Sequence, residues 1–382
     1  MSENAEPTES KEEDLPSVLN VIDPRQNWLS VLLIAIPLAF YFQYDHNSSL
    51  AFVFSLIAIM PLAGLMGKAT EEIARRTSDS IGGLLNATFG NAAEAIIAVM
   101  ALYAAYKAGI GTDTAETMMQ VVQASLIGSI LGNILLVMGL AFLYGGIKHS
   151  NQVFNEDASQ TNGSLMLLAM VGLVIPEAFA LANGSDSGLV EISRWTAIIL
   201  LGVYTMQLLF QLKTHTDFFS TEGHHHHEEN EFSLKEAIIL LVMSTIFVAL
   251  MAEILVHSIE AAASDYGLPP LFIGMILLPM FGNAAEHFTA VSVAGKNKMD
   301  LSVGIAIGSS IQIALLIAPA MILIAWGFGL PLTLEFGVFA TAATLMSILV
   351  TNFIVQDGKS NWFEGAMLLA TYAIIAIAYL YY

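Results

Sequence analysis

The sequence predicts an all-α membrane protein of about eleven transmembrane helices, arranged as two inverted five-helix repeats plus an extra N-terminal helix. Three observations carry this expectation. The 382 residues are 56% hydrophobic and only 12% charged, about half the charge of an ordinary soluble domain, and their mean hydropathy is +0.69. Apolar runs recur from Trp28 to the last residue, each long enough to cross a hydrocarbon layer about 30 Å thick. The hexapeptide Phe-Gly-Asn-Ala-Ala-Glu occurs twice, at 89–94 and at 281–286.

The elements follow in chain order. Residues 1–27 carry Glu3, Glu6, Glu9, Glu12, Glu13, Asp14 and Asp23. They read as a disordered acidic tail, expected to be cytoplasmic. No apolar h-region precedes residue 28, so a cleaved signal peptide is not expected. Helices are predicted at 28–44, 50–72, 80–106, 117–144, 161–183 and 190–213. Turn-forming residues separate them, as at Asp45-His46-Asn47, Gly109-Ile110-Gly111-Thr112 and Asn183-Gly184-Ser185. Residues 28–213 thus hold helix 1 and a first half of helices 2–6. Residues 214–233 form an acidic, His-rich linker, with His224-His225-His226-His227 followed by Glu228, Glu229 and Glu231. Residues 234–382 form the second half, with helices predicted at 234–263, 269–295, 299–326, 331–353 and 361–381. Gly267-Leu268-Pro269-Pro270 and Asp357-Gly358-Lys359 supply turns there.

Basic residues check the count. With the N-terminus in the cytoplasm and helices alternating, eleven of the 13 Lys and Arg fall on the cytoplasmic side. Lys107 and Arg194 alone fall on the other. Orientation follows the basic loops rather than net charge. The repeated hexapeptide then sits in helix 3, running outward, and in helix 8, running inward. Two halves of five spans each are forced into opposite orientations. Inverted repeats with a site near mid-membrane are a transporter architecture.

Several classes are excluded. A net charge of −20 argues against a nucleic-acid partner. Without cysteine, disulfide and thiolate chemistry are impossible. No H-E-x-x-H motif occurs, which argues against a metalloprotease, and no enzyme activity is expected. A passive cation channel stays as an alternative.

The repeated motif carries the chemistry. Glu94 and Glu286 lie several turns from the basic loops, and an ionised carboxylate there needs a cation, a hydrogen-bond donor or a proton. Asn91 with Glu94, and Asn283 with Glu286, are spaced i, i+3 and would share a helix face. Gly90 and Gly282 let helices approach and let the backbone open so that carbonyls can coordinate an ion. Two carboxylates, two amides and carbonyls form an all-oxygen set suited to calcium. The plainer alternative is that each Glu merely bonds a neighbouring helix. Ser129 with Asn133, and Gly308 with Gln312 beside Ser309 and Ser310, are expected to line the site or to serve close packing.

These residues resemble the cation/proton exchanger branch of the calcium/cation antiporter superfamily. The stretch Gly82–Glu94 is similar to its first α-repeat. Gly282-Asn283-Ala284-Ala285-Glu286-His287, with Gly308-Ser309-Ser310-Ile311-Gln312, is similar to its second. The resemblance implies calcium bound between Glu94 and Glu286, helped by carbonyls near Gly90 and Gly282. It also implies an acidic linker that gathers calcium or gates the cytoplasmic mouth, against the plainer reading of a solvated linker.

Two buried carboxylates close together cannot both stay ionised without a cation, and they titrate as a coupled pair. Calcium and protons would therefore compete for one site, giving antiport with protons as counter-ion and no resident cofactor. A sodium/calcium exchanger is the near alternative. His287 beside the second Glu favours protons, either as relay or merely as a packed ring. Glu253 with His257, and Glu177 after the kink-forming Pro176, are weaker candidates for a proton path. Glu71–Arg75 and Glu72–Arg76 read as helix-end pairs. The expected partners are calcium, protons and the lipid bilayer. The expected location is a microbial cell membrane, with a vacuolar membrane as the alternative.

Overall fold

The predicted apolar runs fold as helix with one correction: the run predicted at 331–353 becomes helical only from Val338, and residues 331–337 form a non-helical connection with buried leucines, whose apolar character sequence cannot tell from that of a helix. The computed structural model describes residues 21–23, 25, 27–215 and 232–381. The acidic tail up to residue 20 and linker residues 216–231, with Glu228, Glu229 and Glu231, lie outside the described residues. The helices are α1 (Trp28–Tyr44), α2 (Ser48–Ala74), α3a (Asp79–Phe89), α3b (Ala92–Ala108), α4 (Asp113–Lys148), α5 (Glu156–Leu181) and α6 (Asp186–Thr214). The second half holds α7 (Leu234–Tyr266), α8a (Pro270–Gly282), α8b (Ala284–Ala294), α9 (Met299–Gly327), α10 (Val338–Val355) and α11 (Trp362–Tyr381).

Among the described residues, eight helices are long and apolar enough to cross a membrane, and the bent pair α8a–α8b makes nine. The shorter α1 and the broken pair α3a–α3b occupy the two remaining predicted places. The chain is a multi-pass membrane protein of two inverted five-helix repeats with α1 added.

Side-chain caps start many of these helices. The side chains of Asn47, Thr112, Asn155 and Ser185 accept backbone N–H groups of α2, α4, α5 and α6, which would otherwise lack partners. Ser233 and Glu236 form a reciprocal capping box on α7, and Gly267, at φ 64°, ends that helix.

Contacts between loops give the alternation a geometric check. At the Lys/Arg-rich end, a two-residue strand β1 (Gln152–Val153) pairs antiparallel with β2 (Lys359–Ser360). Gln152 Nε2 also donates to Ala294 O at 2.9 Å. Arg76 donates to the carbonyl of Phe232 and pairs with the buried Glu72 at 2.7 Å. At the opposite end, Ser49 bonds Asp265, and Gln123 and Glu177 grip the α9–α10 connection. Loops expected on one side touch one another, and so do those expected on the other.

The repeats are alike in construction but differ in packing. Both α4 and α9 contain a π-helical turn, at Gly132–Val137 and Ile313–Ile317, each shortly after the Gly-Ser pair at 128–129 or 308–309. Such turns loosen the helical ladder and are frequent at functional sites. Half-helix α8a is pressed onto α4: a Cβ at Gly128 would lie 1.9 Å from Met275 O, and one at Gly274 would lie 2.9 Å from Ala124 Cβ. Its counterpart α3a is not pressed onto α9, because a Cβ at Gly308 would meet nothing within 4 Å. Ile81 and Leu84 of α3a are exposed at 51% and 49%, whereas Ile273, Met275 and Leu278 of α8a are buried. One face of the bundle is sealed by a half-helix, and the mirror-related contact is open.

This difference has a direct test. Gly128→Ala forces a Cβ into a backbone carbonyl and is expected to destabilise this conformation by about 1–3 kcal/mol. Gly308→Ala, in open space, is expected to leave it unchanged. Thermal unfolding of the two purified variants in detergent measures the difference, and equal losses would contradict the asymmetry.

Candidate functional site

Each repeated hexapeptide straddles a helix break. In the first, α3a ends at Phe89, Asn91 sits in the break with φ −102° and ψ 21°, and α3b begins at Ala92. In the second, α8a ends at Gly282, Asn283 has φ −101° and ψ 9°, and α8b begins at Ala284. The two α8 halves meet at 59°. Identical residues thus adopt nearly identical backbone in both halves. This corrects the expectation of a shared helix face for each Asn–Glu pair, because both asparagines occupy the break itself. Glu94 and Glu286 fall in the first turn of the helix that follows, where the positive end of the helix favours a carboxylate. Neither asparagine side chain caps its own helix. Both are spent across the site.

The halves interlock crosswise. Glu94 Oε1 accepts hydrogen bonds from Ser129 Oγ of its own half and from Asn283 Nδ2 of the other. Asn91 Nδ2 donates to Gln312 Oε1 at 2.6 Å, and Asn91 Oδ1 accepts from Ser309 Oγ at 2.7 Å. Asn133 Nδ2 donates to Ser309 Oγ at 3.1 Å. A Cβ at Gly90 would stand 3.3 Å from Glu286 Oε1, and one at Gly282 would stand 3.7 Å from Glu94 Cγ. Each glutamate therefore lies against the glycine of the opposite repeat. Glu94 Oε2 and Glu286 Oε2 are both buried without a hydrogen-bond partner. A buried carboxylate oxygen in that condition calls for a cation or a proton.

The structure brings Glu94, Glu286, Gly90, Gly282, Asn91, Asn283, Ser129, Asn133, Ser309 and Gln312 into this one cluster. His287 follows directly, and its Nε2 is buried without a partner. Ser310 is placed differently: its hydroxyl donates to Ala306 O at 3.0 Å and to Ile130 O at 3.5 Å, so it joins α9 to α4. Glu177 holds the backbone N–H of Gly337 at 3.0 Å, an anchoring contact rather than a place in the cluster. Glu253 is exposed on α7, its carbonyl 2.8 Å from His257 Nδ1. The crossing of each glutamate to the other repeat's glycine was not read from sequence, and no local pattern encodes it. Gln123, which bonds two carbonyls of the α9–α10 connection, also passed without notice among the apolar residues of α4.

Inverted repeats that meet at broken helices with buried polar groups are an architecture of membrane transporters. The chain belongs to the sodium/calcium exchanger protein family, which matches residues 47–213 and 236–381. It is 42% identical over 368 residues to a Ca(2+)/H(+) antiporter of Aphanothece halophytica, covering 92% of this chain and 95% of that one. It is 37% identical over 378 residues to a vacuolar calcium ion transporter of Schizosaccharomyces pombe, covering 96% and 89%. Among solved structures it is similar to native YfkE, with a TM-score of 0.79, 38% identity, and coverage of 93% and 100%. These relatives are transporters rather than enzymes, in keeping with the resemblance carried by the two α-repeats.

The crossed geometry makes the two glycines unequal. Gly90→Ala places a Cβ 3.3 Å from Glu286 Oε1, tighter than an ordinary contact, so the carboxylate must give by a few tenths of an ångström. Gly282→Ala makes an ordinary contact with Glu94 Cγ. Were calcium to bind between these carboxylates, titration of the purified variants would show affinity weakened about tenfold or more, some 1.4 kcal/mol, in Gly90→Ala. A loss of under about threefold is expected in Gly282→Ala. The reverse order would contradict the crossed arrangement.

Proposed function

We propose that the protein is a calcium/proton antiporter that exchanges cytoplasmic calcium for protons by alternating access at the Glu94–Glu286 pair. The single observation that carries this reading is the crossed carboxylate pair with one unpartnered oxygen on each side. Glu94, Glu286 and the amide oxygens of Asn91 and Asn283 supply oxygen donors of the hardness calcium prefers. Carbonyls at the two breaks, near Gly90 and Gly282, add to the set. With calcium gone, the pair holds protons instead, because two buried like charges cannot stay uncompensated. Competition for one site couples the two fluxes.

The unequal packing of the half-helices supports alternation. In this conformation α8a seals the face away from the basic end, and α3a leaves α9 uncovered at the other. Exchanging these two packings would expose the same pair to the opposite side. The basic loops favour a cytoplasmic N-terminus, so this conformation opens toward the cytoplasm. A microbial cell membrane is the proposed location, with a vacuolar membrane as the alternative. His287 is proposed to tune or relay protons. Linker residues Glu228, Glu229 and Glu231 are proposed to raise local calcium at the cytoplasmic mouth, an effect screened over about 8–10 Å.

Calcium uptake into inside-out vesicles tests the function. Uptake is expected to follow an imposed pH gradient and to ignore a sodium gradient at clamped pH. Sodium-driven uptake would move the protein to sodium coupling, and unsaturable flux without proton coupling would make it a channel. In the same assay, Glu94→Gln and Glu286→Gln are each expected to abolish exchange while inserting normally. Gln keeps the shape but can neither balance the ion's charge nor release a proton. Near-normal flux in either variant would remove the two-carboxylate site.

A further inference from the structure

The connection between α9 and α10 is built as a strap. Leu330, Leu332 and Leu334 are buried at 1%, 3% and 0%, while Pro331 between them is exposed and Thr333 half-buried. Every second side chain of 330–334 is thus driven into the core, in a connection that is neither helix nor strand and bends at Leu334. Gly329 and Gly337, at φ 75° and 83°, bracket the segment, using backbone conformations that favour glycine.

A segment outside helix and sheet leaves backbone groups in need of partners. Here three helices supply them. Ser193 Oγ of α6 accepts from Leu334 N at 3.0 Å. Glu177 Oε2 of α5 accepts from Gly337 N at 3.0 Å. Gln123 of α4 uses one amide nitrogen twice, donating to Thr333 O at 2.9 Å and to Glu335 O at 2.7 Å. The strap is thereby fixed to α5 and α6, and Gln123 fixes α4 to the strap.

The position of Gln123 gives this hold a purpose. The sealed face depends on α4 meeting α8a in one register, with Gly128 beneath Met275 O and Ala124 against Gly274. A slip of one residue would put Ile127 or Ser129 beneath that carbonyl, where no side chain fits. Gln123, Ala124, Leu332 and Met275 line one cleft, so the strap, the gripping residue and the seal adjoin. We propose that Gln123 is a positioning residue that holds the outer half of α4 in register, making the 330–336 strap the lock of the face away from the basic end. The proposal rests on the alternating-access reading above and adds to it the element that keeps one face shut.

The chain has no cysteine, so a single introduced thiol reports cleanly. Ser125 borders the crevice at Glu94 with Ile97, Leu278 and Pro279, on the sealed side. Full-length Ser125→Cys protein, reconstituted with the strap face outward, is labelled with a membrane-impermeant maleimide without calcium. Adding Gln123→Met, which keeps the side chain's length and donates nothing, is expected to raise the labelling rate about tenfold, the worth of one to two net hydrogen bonds. Gln123→Glu, which sets a carboxylate against two carbonyls, is expected to raise it further. Ser193→Ala removes a strap bond but not the hold on α4, and is expected to stay within about twofold of the parent.

Unchanged labelling in Gln123→Met overturns the proposal. An equal rise in Ser193→Ala overturns the assignment to Gln123 in favour of the strap as a whole. Gln123→Ser provides the same readout if the methionine variant fails to insert. At fixed pH the labelling rate reports access to the thiol rather than calcium flux or proton coupling, so its outcome is independent of the vesicle assay that decides the antiport reading.

Discussion

Two carboxylates held in the interior of a membrane protein impose the condition that the rest of this structure meets. A lone ionised group in such surroundings is costly, and a second one beside it doubles the demand for compensation. The helix breaks at Asn91 and Asn283 meet part of it by directing two helix N-termini at the pair. Ser129 and Asn283 meet another part by donating to Glu94. One oxygen of each glutamate stays buried without a hydrogen-bond partner, a demand that a cation or a proton would meet.

Inversion of the repeats follows from the same condition. A two-fold arrangement brings one break from each half to the same depth, so each half supplies one glutamate, one asparagine and one glycine. The crossing of Glu94 to Gly282 and of Glu286 to Gly90 makes the site a joint property of both halves. A shift of one half against the other alters both carboxylates together. The packing of α8a on α4, with α3a left off α9, gives this two-fold frame a direction. The strap held by Gln123, Ser193 and Glu177 lies on the sealed face.

Much of this was legible in the sequence, for physical reasons. Hydropathy and turn chemistry located the helices, because a bilayer-spanning helix needs a fixed length of apolar residues. The duplicated hexapeptide marked the two helix breaks and the polar cluster they form, because identical residues in an apolar run adopt the same backbone twice. What stayed hidden was whatever depends on the third dimension. Whether Asn91 would lie on a helix face or in a break depends on a φ, ψ pair that several residues can adopt. Ser310 and Glu177 are polar residues in apolar runs, just as Ser309 and Glu94 are, yet one joins two helices and the other anchors a loop. Sequence shows that a buried polar group needs a partner, but only the fold shows which. Gln123 is the converse case: its partners are backbone carbonyls 210 and 212 residues away, which no side-chain pattern marks.

Under the proposed antiport, calcium and protons compete for one carboxylate pair, and proton release on calcium binding tests this without a membrane. Purified protein in weakly buffered detergent solution is titrated with calcium while free protons are followed by a pH indicator. Competition predicts release approaching one proton from each glutamate at acidic pH, with calcium affinity falling as pH is lowered. Release should fade as pH rises and the pair loses its protons before calcium arrives. Calcium binding with no proton release at any pH, and an affinity independent of pH, would contradict it.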